Sequence, residues 1–166
     1  MNNIESILKT HPFLAGMSGE HVAIMAGKAA RVHFEPDQII FREGEPANRL
    51  YLIQSGKVSI ESRGPGRGAV QTQVIGTGEA LGWSWLFPPF TWHFQARAIE
   101  STDAIACEAG NLLVNCEEHP EFGYALMKRV AQVVIRRMQA ARKQLVKIQG
   151  VLNPPQAIPT HYVGHD

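Results

Sequence analysis

The sequence is poor in cysteine, has no excess of one charge and contains no long apolar run. Its only cysteines, Cys107 and Cys116, exclude a disulfide framework and predict two free thiols in a reducing compartment. The 16 lysines and arginines against 15 aspartates and glutamates give no reason to expect nucleic acid, an acidic membrane surface or a polyanionic substrate. Neither a membrane span nor a secretory signal is present in the pattern, so we expect a cytoplasmic protein.

The 166 residues fit one folded domain with a helical extension and a tail. Residues 1–30 have helical spacing, with Ser18 as the N-cap of a second short helix. Short segments of β-strand composition follow, separated by glycines: 31–34, 38–41, 49–54, 57–63, 69–76, 94–100 and 103–108. Regular short strands at this spacing predict an antiparallel sandwich or barrel.

One long amphipathic helix is predicted after the strands. Apolar residues recur in steps of three and four from Phe122 and Leu126 onward, and Met127, Ala131 and Ile135 widen the stripe in its first half. We place this helix at 117–149, with Gly150 and the prolines after it as the stop, and a flexible tail at 150–166.

The apolar stripe is longer than one small barrel needs, and we therefore expect a homodimer through this helix. The predicted interface residues share the stripe, and they are Val130, Val134, Met138, Ala141, Leu145 and Ile148.

The segment 82–94 holds all three tryptophans and carries no formal charge. In two extended arms hinged at Pro88 and Pro89, alternate rings of each arm share a face. Such a segment forms either a corner of the core or the lining of a pocket.

Several motifs together resemble the cyclic-nucleotide-binding domain of the cyclic-AMP receptor protein family over about residues 10–149. They are "FREGEPANRLYLIQSGKVSI", "GTGEALG" and "FQARAIESTDAIAC". The resemblance implies a mainly β fold with helices, a double-stranded β-helix or jelly roll at 31–116, preceded by short helices and followed by a long dimerisation helix. It also implies that the first arm of the aromatic segment makes a short helical turn.

The resemblance weakens at the ligand segment. The family's glutamate, which binds the ribose 2′-hydroxyl, is replaced by Trp83. Its phosphate-clamping arginine falls at Trp92 or His93, and Arg97 matches a strand position instead. A phosphate in a pocket without a paired cation costs roughly several kcal/mol of desolvation, so we expect cyclic AMP and cyclic GMP to bind weakly or not at all.

Our first hypothesis is a sensor that binds a small apolar or cationic ligand and signals to a partner protein. The predicted ligand-binding residues are Gly82, Trp83, Ser84, Trp85, Trp92, His93, Arg137 and Arg142. One alternative is a ligand-free interaction module whose tryptophans fill the pocket. Another is a true cyclic-nucleotide binder with an unusual phosphate site. The 16 residues after Gly150 include three prolines, and we expect no DNA-binding domain and no direct DNA binding.

No catalytic or metal motif stands out, and we predict no enzyme, no metal and no cofactor. Glu79 and His93 could form an acid and base, but a rim carboxylate and a strand histidine are the favoured interpretation. Cys116 and His119 have metal-ligand spacing without a second pair. An enzyme on a cupin-like barrel would need more strand histidines than His33 and His93.

Basic residues are frequent along the predicted long helix, and they are Lys128, Arg129, Arg136, Arg137, Arg142, Lys143 and Lys147. Acidic residues at its start and basic residues toward its end complement the helix dipole, so a solvated face is favoured over a polyanion site.

Overall fold

The computed structural model describes residues 3–66 and 68–156. Its strands are β1 Ala29–Phe34, β2 Ile39–Phe41, β3 Arg49–Ser55, β4 Lys57–Arg63, β5 Ala69–Gly76, β6 Ala80–Leu81, β7 Gln95–Ala98 and β8 Thr102–Glu108. Its α-helices are α1 Asn3–Lys9, α2 Gly19–Ala26, α3 Ala109–Glu118 and α4 Pro120–Leu152. Two single 3₁₀ turns lie at Pro12–Leu14 and Ser84–Leu86.

The strands form two four-stranded antiparallel sheets, in the orders β1-β8-β3-β6 and β2-β7-β4-β5. This arrangement confirms the predicted jelly roll with short helices before it and a long helix after it. All seven predicted strand segments contain a strand, and β6 is an additional two-residue strand that pairs with Tyr51 and Leu52 of β3.

Strand β3 shows where the core lies. Leu50, Leu52 and Ile53 are completely buried, so both faces of the strand are covered, and simple alternation of buried and exposed residues is lost. Phe122 and Leu126 of α4 are buried in the same apolar cluster. The core therefore includes the barrel interior and the inner face of the helices.

A buried histidine attaches the N-terminal segment to the barrel. The Nδ1 atom of His11 accepts the backbone N–H of Phe13 at 3.2 Å, so Nε2 carries the proton and donates to the Ile53 carbonyl at 2.9 Å. Burial lowers the pKa of His11, which favours this neutral form. Ser18 caps α2 by accepting the N–H of His21 at 3.3 Å, as predicted.

Helix α3 was not predicted from the sequence, which placed 109–116 in the barrel and began the long helix at 117, whereas α4 begins at Pro120. Pro120 occupies the first turn of α4, where its missing N–H costs nothing. A Cβ on Gly123 would lie 3.0 Å from the Cys116 carbonyl oxygen, so glycine permits the two helices to pack closely. Gly150 does not end α4, which continues to Leu152, ahead of Pro154.

The first and second halves of α4 have different environments. Phe122, Leu126 and Val130 are buried in the apolar core, whereas Met138 and Leu145 are exposed. Of the predicted tail, 157–166 lie outside the described residues. Within the described ranges, no helix combines the length and apolar character needed to cross a membrane.

Candidate functional site

The aromatic segment leaves β6 through Gly82 and makes one 3₁₀ turn at Ser84–Leu86. Gly82 has φ +92°, and a Cβ there would lie 2.7 Å from the Trp92 ring. Both the left-handed backbone and the contact with this ring require glycine. Gly82 therefore positions the segment and has no side chain to offer a ligand.

Two of the three tryptophans lie in the core. Trp85 is 1% exposed, and its indole N–H donates to the Gly82 carbonyl at 2.9 Å. Trp92 is 3% exposed and stacks on Phe41 with ring centroids 3.8 Å apart. The structure packs both rings among core side chains and does not bring them to an open wall.

The third tryptophan, Trp83, lies half-buried at the edge of an apolar groove of about 740 Å³. The groove lies between the aromatic segment and α4. Its lining residues are Trp83, Ser84, Leu86, Phe87, Pro88, His93, Phe94, Met127, Val130, Ala131, Val134 and Ile135. Among these described residues there is no lysine, arginine or carboxylate, so the groove suits apolar surface.

Ser84 and His93 supply the polar groups of the groove. The Ser84 hydroxyl lies 3.2 Å from Nδ1 of His93, and Ser84 is buried while His93 is exposed. A hydroxyl and an imidazole at this distance can orient a ligand by accepting or donating one hydrogen bond each.

Arg137 connects α4 to the aromatic segment. Its guanidinium lies 4.5 Å from the centre of the Trp83 ring, and its Nη2 donates to the Ala80 carbonyl. The Gln73 amide donates to the Arg137 carbonyl at 2.9 Å. Burial lowers the pKa of Arg137 to about 10, partly opposed by the charge of Glu79.

Other predicted residues lie elsewhere. Arg142 is exposed further along α4 and does not line the groove. Within the predicted dimer stripe, Val130 is buried in the core and also lines the groove. The remaining stripe residues are exposed, and they are Val134, Met138, Ala141, Leu145 and Ile148.

Arg97, the cation nearest the aromatic segment in sequence, is paired within the barrel. Its Nε lies 3.2 Å from both carboxylate oxygens of Glu61, and its Nη1 donates to the Asp37 carbonyl at 3.3 Å. Sequence reasoning missed Glu61, although the two residues lie on strands that pair directly. This arginine is therefore already neutralised by a largely buried carboxylate.

The catalytic and metal candidates do not assemble into a site. Glu79 accepts the Gly76 N–H at 2.6 Å and lines a different cavity from His93. Cys116 lies in α3 and His119 in the break after it. Over the ranges that the structure describes, no three histidine, cysteine, aspartate or glutamate side chains are grouped to hold a metal ion.

The chain is similar to known proteins in both sequence and structure. A family model described as "Cyclic nucleotide-binding domain" matches residues 31–119. In sequence, the chain is 27% identical over 146 residues to a protein of Mycobacterium tuberculosis named "CRP-like cAMP-activated global transcriptional regulator". The match covers 87% of this chain and 63% of that protein, so the chain spans less than two thirds of the curated relatives it matches.

Solved structures show the same fold. A cyclic nucleotide-binding domain from Methylobacillus flagellatus has a TM-score of 0.74 at 19% identity, covering 93% of this chain and 85% of that one. The catabolite activator protein of Thermus thermophilus has a TM-score of 0.66 at 24% identity, covering 83% of this chain and 63% of that one.

Proposed function

We propose that this chain, which belongs to the cyclic nucleotide-binding domain family, is a small-molecule-sensing regulatory domain whose ligand is not ordinary cyclic AMP. The ligand occupies the groove between the aromatic segment and α4. Its binding is passed through α4 to a partner protein, and no catalytic step is involved.

The observation that carries this proposal is the chemistry of the groove. Apolar side chains from both the aromatic segment and α4 line it, and the described lining has no lysine or arginine. At the position where the family binds ribose, Trp83 contacts Arg137. Of the two residues at the phosphate position, Trp92 stacks on Phe41 and His93 lies beside the Ser84 hydroxyl. A cyclic phosphate placed in the groove would lose water without gaining a cation from the described lining, since Arg137 lines the other side of α4, and this costs roughly several kcal/mol.

A flat apolar molecule or a weakly hydrated cation fits these walls. Stacking on an aromatic ring contributes roughly 0.5 to 1.5 kcal/mol beyond the buried area, and a cation over a ring contributes about 0.5 to 2 kcal/mol. Trp83 offers the ring, and the Ser84 and His93 pair offers one polar anchor. Specificity would come from the few polar groups and affinity from the apolar walls.

The two walls of the groove explain how ligand binding could be passed to α4. One wall belongs to the barrel segment and the other to Met127, Ala131 and Ile135 of α4. A ligand that contacts both walls more favourably in one packing arrangement shifts the population toward that arrangement. The position of α4 relative to the barrel thereby reports occupancy.

The exposed stripe on the distal half of α4 supports a homodimer as the form that acts. Helix α4 has 33 residues, which span about 50 Å at 1.5 Å per residue.

We place the dimer in the cytoplasm, with Cys107 and Cys116 as free thiols. Burial raises the pKa of Cys107 to about 12, which keeps that thiol protonated and unreactive.

Two other functions have a specific observation in their favour. The burial of Trp85 and Trp92 favours a ligand-free interaction module in which rings fill the former nucleotide pocket. The name of the Mycobacterium tuberculosis relative, which describes it as activated by cyclic AMP, favours a cyclic-nucleotide binder with an unusual phosphate site.

Native mass spectrometry of the protein purified from its own source tests the proposal. Under native conditions we expect extra mass from a retained molecule, which denaturation releases. Trp83→Ala should lose that mass because it removes the ring at the groove. Phe90→Ala is the matched control, since Phe90 is an exposed ring of the same segment outside the groove lining, and it should retain the molecule.

Calorimetric titration with cyclic AMP separates the alternatives. We expect no binding in the low micromolar range, which would need about 8 kcal/mol. Tight binding of cyclic AMP contradicts the ligand class that we propose. Two results together would contradict the sensor and favour the ligand-free module. The wild type would retain no extra mass, and Trp83→Ala would lower the free energy of unfolding as much as a core substitution does.

A further inference from the structure

A second cavity of about 360 Å³ lies beside α4, on the other face of the helix from the apolar groove. An α-helix turns by about 100° per residue. On this basis, the α4 residues that line the groove lie around Val130, Ala131 and Val134. The α4 residues that line this cavity lie around Gln132 and Arg136, on roughly the opposite side of the helix. The segment around Pro12 and the turn at Gly78 close its other sides.

The walls of this cavity are strongly basic. Lys128, Arg129, Arg136 and Arg137 line it, with Glu79 as the single carboxylate among the lining residues that the structure describes. Glu79 already accepts the Gly76 N–H at 2.6 Å. Since the chain as a whole has a net charge of only +1, this concentration of positive charge is local.

Arg129 is held rigidly at the cavity. Its Nη1 donates to the Ala125 carbonyl and its Nη2 to the Ala15 carbonyl, each at 2.8 Å. Its Nε is buried and has no hydrogen-bond partner. The guanidinium is thus fixed by neutral oxygens, and its charge is not compensated by a carboxylate within salt-bridge distance among the described residues.

Arg137 is less well satisfied. It donates to the Ala80 carbonyl, but its Nε and Nη1 are buried without a partner. Burial is also the main reason that the pKa of Arg137 falls to about 10, although it stays charged at neutral pH. Glu79 compensates this charge only in part, and a buried charge attracts an anion more strongly than the same charge in water does.

We propose that this cavity binds a small phosphate-bearing anion with more than one negative charge. Guanidinium groups match the oxygens of phosphate in charge and geometry, and Lys128 adds the ammonium group of an exposed side chain. The three walls limit the occupant to a small molecule. The site goes beyond the proposed apolar ligand and does not depend on it.

Titration calorimetry of the full chain with sodium pyrophosphate, at constant ionic strength, tests the proposal. We expect a dissociation constant below about 1 mM. The double variant Lys128→Gln/Arg136→Gln should weaken binding at least about tenfold, because it removes two charges from exposed cavity residues without touching the core. Arg142→Gln/Lys147→Gln is the matched control, since it removes the same charge from exposed positions of α4 outside the cavity, and it should change the constant less than about twofold.

Three outcomes would overturn the proposal: no binding of pyrophosphate up to about 10 mM, equal weakening in the control variant, or tighter binding of double-stranded DNA than of pyrophosphate. Citrate, titrated in parallel, separates phosphate from carboxylate chemistry, and we expect it to bind more weakly. Trp83→Ala should still bind pyrophosphate, because all four basic residues of the cavity remain. The molecule retained in native mass spectrometry should likewise stay bound to the Lys128→Gln/Arg136→Gln variant. A failure of either site can therefore be told from a failure of the other.

Discussion

The aromatic segment 82–94 and the distal half of α4 are both rich in large apolar side chains, yet the chain buries them differently. Trp85 and Trp92 are almost completely inaccessible, whereas Met138 is 62% and Leu145 58% exposed. The segment packs into the apolar core, where Trp92 stacks on Phe41. Residues 138–152 of α4 are all exposed. Burial is therefore set by position in the fold, and apolar composition alone does not predict it.

The largest expected effect tests the buried side of this comparison. Trp85→Ala and Trp92→Ala should each lower the free energy of unfolding by roughly 3 to 5 kcal/mol, because each leaves a cavity in the core. Trp83→Ala should cost much less, since Trp83 is only half-buried. Urea denaturation measures all three, and equal losses would show that the three rings share one environment.

Gly82→Ala should have the next largest effect. The new Cβ would lie 2.7 Å from the Trp92 ring in a backbone with φ +92°. Strain of this kind costs about 1 to 3 kcal/mol. Gly19→Ala is the control, because Gly19 begins α2 with nothing within 4 Å of its added Cβ, and it should be neutral or slightly stabilising. If Gly82→Ala does not lower the free energy of unfolding, the Trp92 ring can move away from residue 82 without loss of stability.

The smallest effect on the folded protomer is expected in distal α4. Met138→Glu should leave the protomer folded but convert a dimer to a monomer in light scattering, because it buries an unpaired charge at the proposed interface. Gln139→Glu adds the same charge beside the stripe and should leave the dimer intact. The unfolding midpoint of the wild type, but not of Met138→Glu, should rise with protein concentration. A monomeric wild type at micromolar concentration would remove the dimer from the proposal.

The fold was largely predictable from the sequence because its signals are local. Runs such as Leu50 to Ile53 mark strands by composition, and the spacing from Phe122 marks α4. Strand β6 was missed because two residues carry no periodicity. Helix α3 was missed because residues 109–116 carry no clear helical spacing, and its break from α4 at His119 depends on Pro120 and on the close approach at Gly123.

The site was less predictable because its contacts are distant in sequence. The sequence prediction named Trp83, Ser84, His93 and Arg137, which the structure brings to one place. It could not separate Trp83 from Trp85 and Trp92, since that distinction depends on the 3₁₀ turn and on stacking against Phe41. It favoured a solvated basic face, and five of the seven basic residues are exposed, but it did not show that four of the seven line one cavity.

Arg137 lies between the two cavities: it contacts Trp83 at the groove and lines the basic cavity. An occupant that changes the position of this side chain on one face of α4 changes the other face as well. Thermodynamic linkage then requires reciprocity: whatever factor the anion applies to the affinity of the apolar ligand, the apolar ligand applies to the affinity of the anion. A single arginine would make the domain respond to a combination of two chemical signals, with the sign of the response set by whether both occupants favour the same rotamer.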